Sequence, residues 1–388
     1  SEMCIRDRYM AVNGDWLKTA KIPADKAATG GFYDLADDIE KTLMEDFANF
    51  MTGEAISDDK YLNEFIKYYR LVSNFEKRNA DGFKPAKQYF DKITSLKDIN
   101  DWQEKLYDLT MMGLPNPFPL YVEPDMKDTQ HYALYASVPS LILPDKTYYE
   151  ENHPQAEALL SVYRQMVLAL FERAGYDNNF AQATLEKALA FDKSLAPVQK
   201  DSTERADYAK SYNKYSFEDY TAFSKSVDLG AFAKKLIGQT PDQVNVDEPK
   251  YYEALETLIN PDTFENFKSW LLVKTLISVS TLLDDDTRVL AGTYSRALSG
   301  SKEAMKAQKA VFYLATGQFS QVVGLYYAHK YFGAKAKADV HHMVEKMIDV
   351  YKNRLASNDW LSDDTRQKAI VKLLSLIHIS EPTRRSYI

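Results

Sequence analysis

A single cysteine occurs among 388 residues, Cys4 at the front of the chain. The rest of the chain therefore has no disulfide and no thiolate nucleophile. Histidine is scarce as well, at six residues, and nowhere do two of them frame a glutamate as His-Glu-x-x-His. That pattern places two imidazoles one helical turn apart to hold zinc, with the Glu as general base. No run of eighteen apolar residues occurs, so no membrane span is expected. The most apolar stretch, Trp270 to Leu283, is interrupted by Lys274 and several hydroxyls and reads as a core helix. Basic residues form no block: 48 Lys and Arg stand against 56 Asp and Glu, for a net charge of −8. That balance argues against nucleic acid as a partner and favours solubility. Neither a Gly-x-x-x-x-Gly-Lys phosphate loop nor a Gly-x-Ser-x-Gly nucleophile turn is found; Leu298-Ser299-Gly300-Ser301 lacks the flanking glycine. Repeats at solenoid periods and low-complexity segments are also missing.

What remains is an ordinary globular composition, 45% hydrophobic and 27% charged, long enough for one large domain or two. Leu35, Ile39, Leu43 and Phe47 recur every four residues and predict a helix over 33–50, with acids in its first turns where the helix dipole favours them. Leu62, Phe65, Ile66, Tyr69 and Val72 predict a second, capped by Asp58 or Asp59. Shorter helices are expected over 84–91 and 97–111. Three prolines between Gly113 and Pro119 exclude helix there. Apolar runs on either side of the polar turn Asp125 to Asp128 predict a short β-hairpin near 120–138. From His153 onward the chain reads as nearly all helical, in runs over 154–175, 179–199, 249–258, 261–283, 285–299, 302–333, 336–357 and 363–374. Ser362 is placed to cap the last run.

Candidate chemistry is thin. His341 and Glu345 fall four apart on one helix face, but the inverted zincin pattern His-x-x-Glu-His would need histidine where Lys346 stands. Zinc takes three or four protein ligands, so a solvated helix face is the simpler account. His131, His153 and His329 stand alone and read as packing or surface residues. Tyrosine is abundant, 27 against 4 Trp. Tyr326, Tyr327 and Tyr331 on adjoining helix faces offer either a peptide-binding wall or half-buried helix contacts with their hydroxyls in water.

Both ends look foreign. Residues 1–8, and 375–388 with Leu376-Ile377-His378-Ile379-Ser380-Glu381-Pro382-Thr383-Arg384, resemble sequencing-adapter DNA translated as gene. They are expected to be a non-native leader and a non-native tail, with the native gene continuing past Leu374. Between them, several islands in order resemble the neprilysin-type zinc metallopeptidases. These are Val12-Asn13-Gly14-Asp15-Trp16, Leu143-Pro144-Asp145 with Tyr148-Tyr149, Arg205 with Tyr212-Asn213, Gly324-Leu-Tyr-Tyr327, and Asp359-Trp360-Leu361 with Thr365 and Lys368. The lack of cysteine is more similar to the family's bacterial oligopeptidases than to its disulfide-rich animal members.

The resemblance implies a mainly α fold, the helical lobe of a two-lobed peptidase, with 9–374 as its N-terminal helical domain and the hairpin near 120–138. It implies a zinc-dependent metalloendopeptidase as the parent, with peptides as substrates and zinc in the full-length protein. The zinc-bearing lobe is expected to be missing here, so this chain is expected to hold no cofactor, to be inactive alone and to contribute no catalytic or metal residue. Its role would be to shape the substrate chamber. An early Arg that binds the substrate's terminal carboxylate in some animal members aligns with Ala28, so that role does not transfer. Asp34 or Asp37 would lie near the chamber mouth or, more simply, complement a helix N-terminus. The alternative is a non-catalytic helical peptide-binding or scaffold protein. The compartment, cytoplasmic or exported, stays open because the native start is expected to be lost.

Overall fold

The computed structural model describes residues 2–52 and 58–375. It is mainly helical with one small sheet. Helices of eight residues or more are α1 (Glu2–Thr19), α2 (Gly31–Thr52), α3 (Lys60–Ser73), α4 (Lys87–Thr94), α5 (Ile99–Met111), α6 (Ala156–Arg173), α7 (Asn178–Leu195), α8 (Leu229–Ile237), α9 (Phe264–Ser280), α10 (Ala307–Gln318), α11 (Ser320–Tyr327), α12 (Gly333–Ala356) and α13 (Asp363–Ser375). Strands are β1 (Leu120–Asp125), β2 (Asp128–Ala136), β3 (Lys214–Ser216) and β4 (Gln243–Val246). The chain divides into two compact units, one taking residues up to Gly31 with Asn74–Ala307, the other Phe32–Ser73 with the chain from Gln308 onward. Of the leader expected at 1–8, Glu2 to Arg8 lie in α1; the tail expected at 375–388 lies, apart from Ser375, outside the described residues.

The first unit is built on α9. Its sequence is apolar all round, so no single face is favoured and the helix lies inside, packed on α7, α4 and α6. Phe264, Phe267, Trp270, Leu271, Leu272, Val273 and Leu276 are all buried. Trp102 of α5 meets Phe267 edge-on at 4.8 Å, and Phe191 of α7 sits 5.4 Å from Trp270. Asp98 caps α5 through the amide of Asp101 (2.9 Å), and Asp177 caps α7 through that of Phe180 (3.0 Å).

The expected hairpin forms, with Tyr121 opposite Tyr135 and their rings stacked at 5.1 Å. It is half of a larger sheet in the order β1-β2-β4-β3, with β2 and β4 parallel and β3 antiparallel to β4. The helical runs expected after His153 leave 200–248 unassigned, and β3 and β4 fall in that gap. Strands of three and four residues are too short to show a period, and their partners are far away in sequence. Val244 and Val246 bury one side of the sheet with Leu134 and Ala136. The run expected over 302–333 is also broken: α10 and α11 are separate, and a π-helical turn, Ala328–Phe332, precedes α12.

The second unit centres on Phe47 of α2, fully buried and ringed by Phe65, Tyr69 and Phe312 at 4.7 to 5.8 Å. Asp59 caps α3 through the amides of Tyr61 (2.8 Å) and Leu62 (3.2 Å), and Ser362 caps α13 through that of Thr365 (3.3 Å). Half of the α2 stripe behaves otherwise than its spacing suggests. Leu43 and Phe47 are buried, but Leu35 is 60% exposed and Ile39 38%, while Glu40 and Asp46 lie inside. The acids are held by later helices. Glu40 takes the Tyr313 hydroxyl (2.6 Å) and Lys309 (3.1 Å). Asp46 takes Lys330 (2.6 Å), Tyr331 (2.7 Å) and Tyr326 (2.9 Å).

Burial opposes the charge of Asp46, yet the bonds from Lys330, Tyr331 and Tyr326 outweigh it and hold the carboxyl below its usual value. A depressed folded-state value stabilises the fold above the unfolded aspartate pKa, about 3.9, and that contribution is lost as pH falls through the folded value. Asp46→Asn is therefore expected to cost about 1–3 kcal/mol at neutral pH. Thermal melts of parent and variant should converge below about pH 4; a constant gap would show that the charge is not what stabilises.

Candidate functional site

The first unit holds a cleft of about 690 Å³ beside the segment 137–144, which follows β2. This segment is neither helix nor strand, and Pro139 and Pro144 keep it extended. A buried irregular backbone must find its hydrogen bonds outside secondary structure, and here side chains from distant elements supply them. The hydroxyl of Tyr252 donates to Ser137 O (2.8 Å), Gln199 Nε2 to Pro139 O (2.9 Å), Lys274 Nζ to Ser140 O (2.6 Å) and the Tyr294 hydroxyl to Ile142 O (2.7 Å). In the other direction Ile142 N donates to Asp192 (3.1 Å) and Leu143 N to the Tyr149 oxygen (3.1 Å).

Asp192 is the hub. It is 1% exposed and also accepts the Trp270 indole N–H (3.3 Å) and a short bond from the Tyr149 hydroxyl. Burial raises its pKa, against the pull of Tyr149, Lys274 and the Ile142 amide. Burial together with the neighbouring Asp192 charge pushes the Tyr149 phenol far above its usual value, so it acts as a neutral donor.

The cleft's polar side is a second chain of bonds. Arg205 Nη2 donates to Gln199 Oε1 (3.0 Å) and its Nε to Glu248 Oε1 (2.9 Å), while Glu248 Oε2 takes the amide of Lys200 (2.6 Å). Tyr121 donates to Asp247 at 3.1 Å, and burial raises the Asp247 pKa. Asn213 Nδ2 reaches Val246 O (2.9 Å), and the Tyr212 hydroxyl reaches Asp125 (2.7 Å). Asp145 takes the amides of Thr147 (3.0 Å) and Ser202 (2.6 Å). Two of the sequence islands, 143–149 and Arg205 with Tyr212-Asn213, thus reach this cleft, through Leu143, Pro144 and Arg205. Their shared work is to hold the 137–144 segment and the ends of the sheet strands.

The remaining candidates sit elsewhere. Asp34 lies exposed in the first turn of α2. Tyr326 and Tyr331 do not leave their hydroxyls to water but spend them on Asp46, and Tyr327 packs against Tyr331 at 5.7 Å. His131 pairs with Asp128 (2.8 Å), His153 lies against Tyr148 with ring centroids 3.9 Å apart, and His329 is exposed. His341 and His342 face Glu345 at 3.5 and 3.6 Å as helix-surface pairs. Among the described residues no three His, Cys, Asp or Glu side chains converge to hold a metal, so the residues present do not fit a zinc site. Asp192, Lys274 and Glu248 were not singled out from sequence; the one available signal was a lysine inside the most apolar run.

Comparison with known proteins places this arrangement. The N-terminal domain profile of peptidase family M13 matches residues 6–379. The chain belongs to peptidase family M13. It covers the N-terminal domain of this neprilysin-type family. A zinc metalloproteinase assigned to the scaA 5′ region of Streptococcus gordonii is 41% identical over 95% of this chain and 65% of its own length. The neutral endopeptidase of Lactobacillus helveticus is 37% identical over 95% of this chain and 57% of its own. The crystal structure of PepO from Lactobacillus rhamnosis superposes with a TM-score of 0.84 at 29% identity, over 95% of this chain and 58% of that one. The M13 chain thus spans less than two thirds of these relatives.

Asp192→Ala should orphan the Ile142 amide and the Trp270 indole, at about 1–3 kcal/mol per buried donor. Asp192→Asn, which keeps an acceptor, should cost less. Chemical denaturation of both variants would decide; equal midpoints would remove Asp192 from the centre of the network.

Proposed function

We propose that this M13 chain is the N-terminal part of a zinc-dependent metalloendopeptidase that acts on peptides, and that its role is to wall the substrate chamber. The observation that carries the reading is a match to the N-terminal domain of a peptidase family over 6–379 in a chain with no His-Glu-x-x-His. In this reading zinc and the groups that activate its water belong to the part of the longer relatives that this chain does not span. Residues 9–374 would be native, and 1–8 and 375–388 foreign.

The surface of the second unit supports a chain meant to be covered. In α12 the one buried residue is Ile348, whereas Met343, Met347, Val350 and Tyr351 are exposed, as are Val371 and, at 78%, Trp360. Apolar area of this kind marks an interface. The purified chain should accordingly bind an apolar-surface dye such as anilinonaphthalene sulfonate while still folded. A cooperatively melting monomer that leaves the dye dark would count against the reading.

The chain alone should show no hydrolysis of a quenched fluorogenic peptide, with or without chelator, and should retain zinc only substoichiometrically after dialysis. Tight stoichiometric zinc with chelator-sensitive turnover would sink the proposal. Source DNA read beyond Leu374 should continue to a His-Glu-x-x-His. An immediate stop codon would instead favour a non-catalytic peptide-binding or scaffold protein.

A further inference from the structure

A second cleft, of about 500 Å³, lies against the same 137–144 segment and shares Val138 to Ile142 with the first. Its character is different. Half-buried Leu141 and Ile277 face it over a packed floor of Tyr163, Met166, Trp270 and Tyr294, and Lys274 is the single charged residue on its lining. The volume is that of a small-molecule site, where a few polar groups orient a largely apolar ligand.

Lys274 is the unusual element. Its Nζ donates to Ser140 O (2.6 Å) and Ser140 Oγ (3.2 Å) and lies 4.6 Å from the centroid of the Trp270 ring. No carboxylate stands within ion-pair reach of it among the described residues. Asp192, the acid whose charge it feels, spends its oxygens on Ile142 N, Tyr149 and Trp270. An ammonium has three N–H bonds, and the third finds no protein acceptor among the described residues. Lys274 is half-buried, and a cation partly withdrawn from water is favoured by an anion that joins it. Burial accordingly lowers the Lys274 pKa, against the attraction of Asp192.

We infer that this cleft binds a carboxylate carried on an apolar group, with the carboxylate on Lys274 Nζ and the apolar part against Leu141 and Ile277. A peptide's C-terminal residue and a short fatty acid share this chemistry. The inference does not depend on peptidase activity, because occupancy is read without turnover.

The test titrates the full 388-residue chain calorimetrically with sodium octanoate, octanamide, N-acetyl-Leu-Phe and N-acetyl-Leu-Phe-amide. Each acid that binds should do so about tenfold or more tighter than its amide, the worth of one charge-assisted hydrogen bond. Octanoate binding alone identifies a fatty acid as the natural source, and binding of the dipeptide acid identifies a peptide terminus. Lys274→Met should bring acids down to amides, while Lys274→Arg should keep the preference. Ser278→Trp, at the exposed rim and clear of the bonds of Lys274, should block all binding, and it decides the matter if Lys274→Met does not fold. Equal binding of acids and amides, no binding of either acid, a preference that survives in folded Lys274→Met, or acid binding untouched by Ser278→Trp would overturn the inference.

Discussion

The first unit depends on satisfying one partly buried stretch of irregular backbone. Between Ser137 and Leu143 the chain runs between two clefts, and six of its peptide N–H and C=O groups are met by side chains from elsewhere. Leaving such groups unmet would cost more than the bonds return when made. The surrounding elements are therefore committed to particular polar residues at positions otherwise suited to apolar ones. Asp192 in α7, Tyr294 after Gly292, and Trp270 and Lys274 in α9 are all placed by this requirement. It also makes the two clefts neighbours, one edged by Arg205, Asp247 and Glu248, the other apolar with a lone ammonium.

The second unit uses the same device on a smaller scale. Asp46 and Glu40 lie on the inner side of α2, each met by a lysine and by one or more tyrosines from the chain after Gln308. For Asp46 these donors outweigh burial and hold the carboxyl below its usual value. The abundance of tyrosine thus has a structural use: a ring that packs and a hydroxyl that reaches a buried acid. Tyr326 and Tyr331 do this for Asp46, Tyr313 for Glu40, and Tyr149 for Asp192.

In this M13 N-terminal domain, the polar side chains described around the first cleft hold backbone in place. Two of the islands that resemble the family, Leu143 to Tyr149 and Arg205 with Tyr212 and Asn213, bind backbone or the side chains that hold it.

Local sequence by itself determined the helices with a clear stripe, the caps at Asp59 and Ser362, the hairpin with its polar turn, the buried α9 and the family, because each is written within a few residues or in short islands kept in order. Tertiary structure alone decided the rest. Lys214–Ser216 and Gln243–Val246 are too short to announce themselves and become strands only where β2 offers an edge. Leu35 and Ile39 follow the same spacing as Leu43 and Phe47 yet remain exposed, because burial depends on what a helix meets and not on its period. Asp46, Asp192 and Lys274 look like any surface charge in sequence. Their roles come from partners 43 to 285 residues away, and no local pattern records which distant hydroxyl, amide or carbonyl will complete a charge.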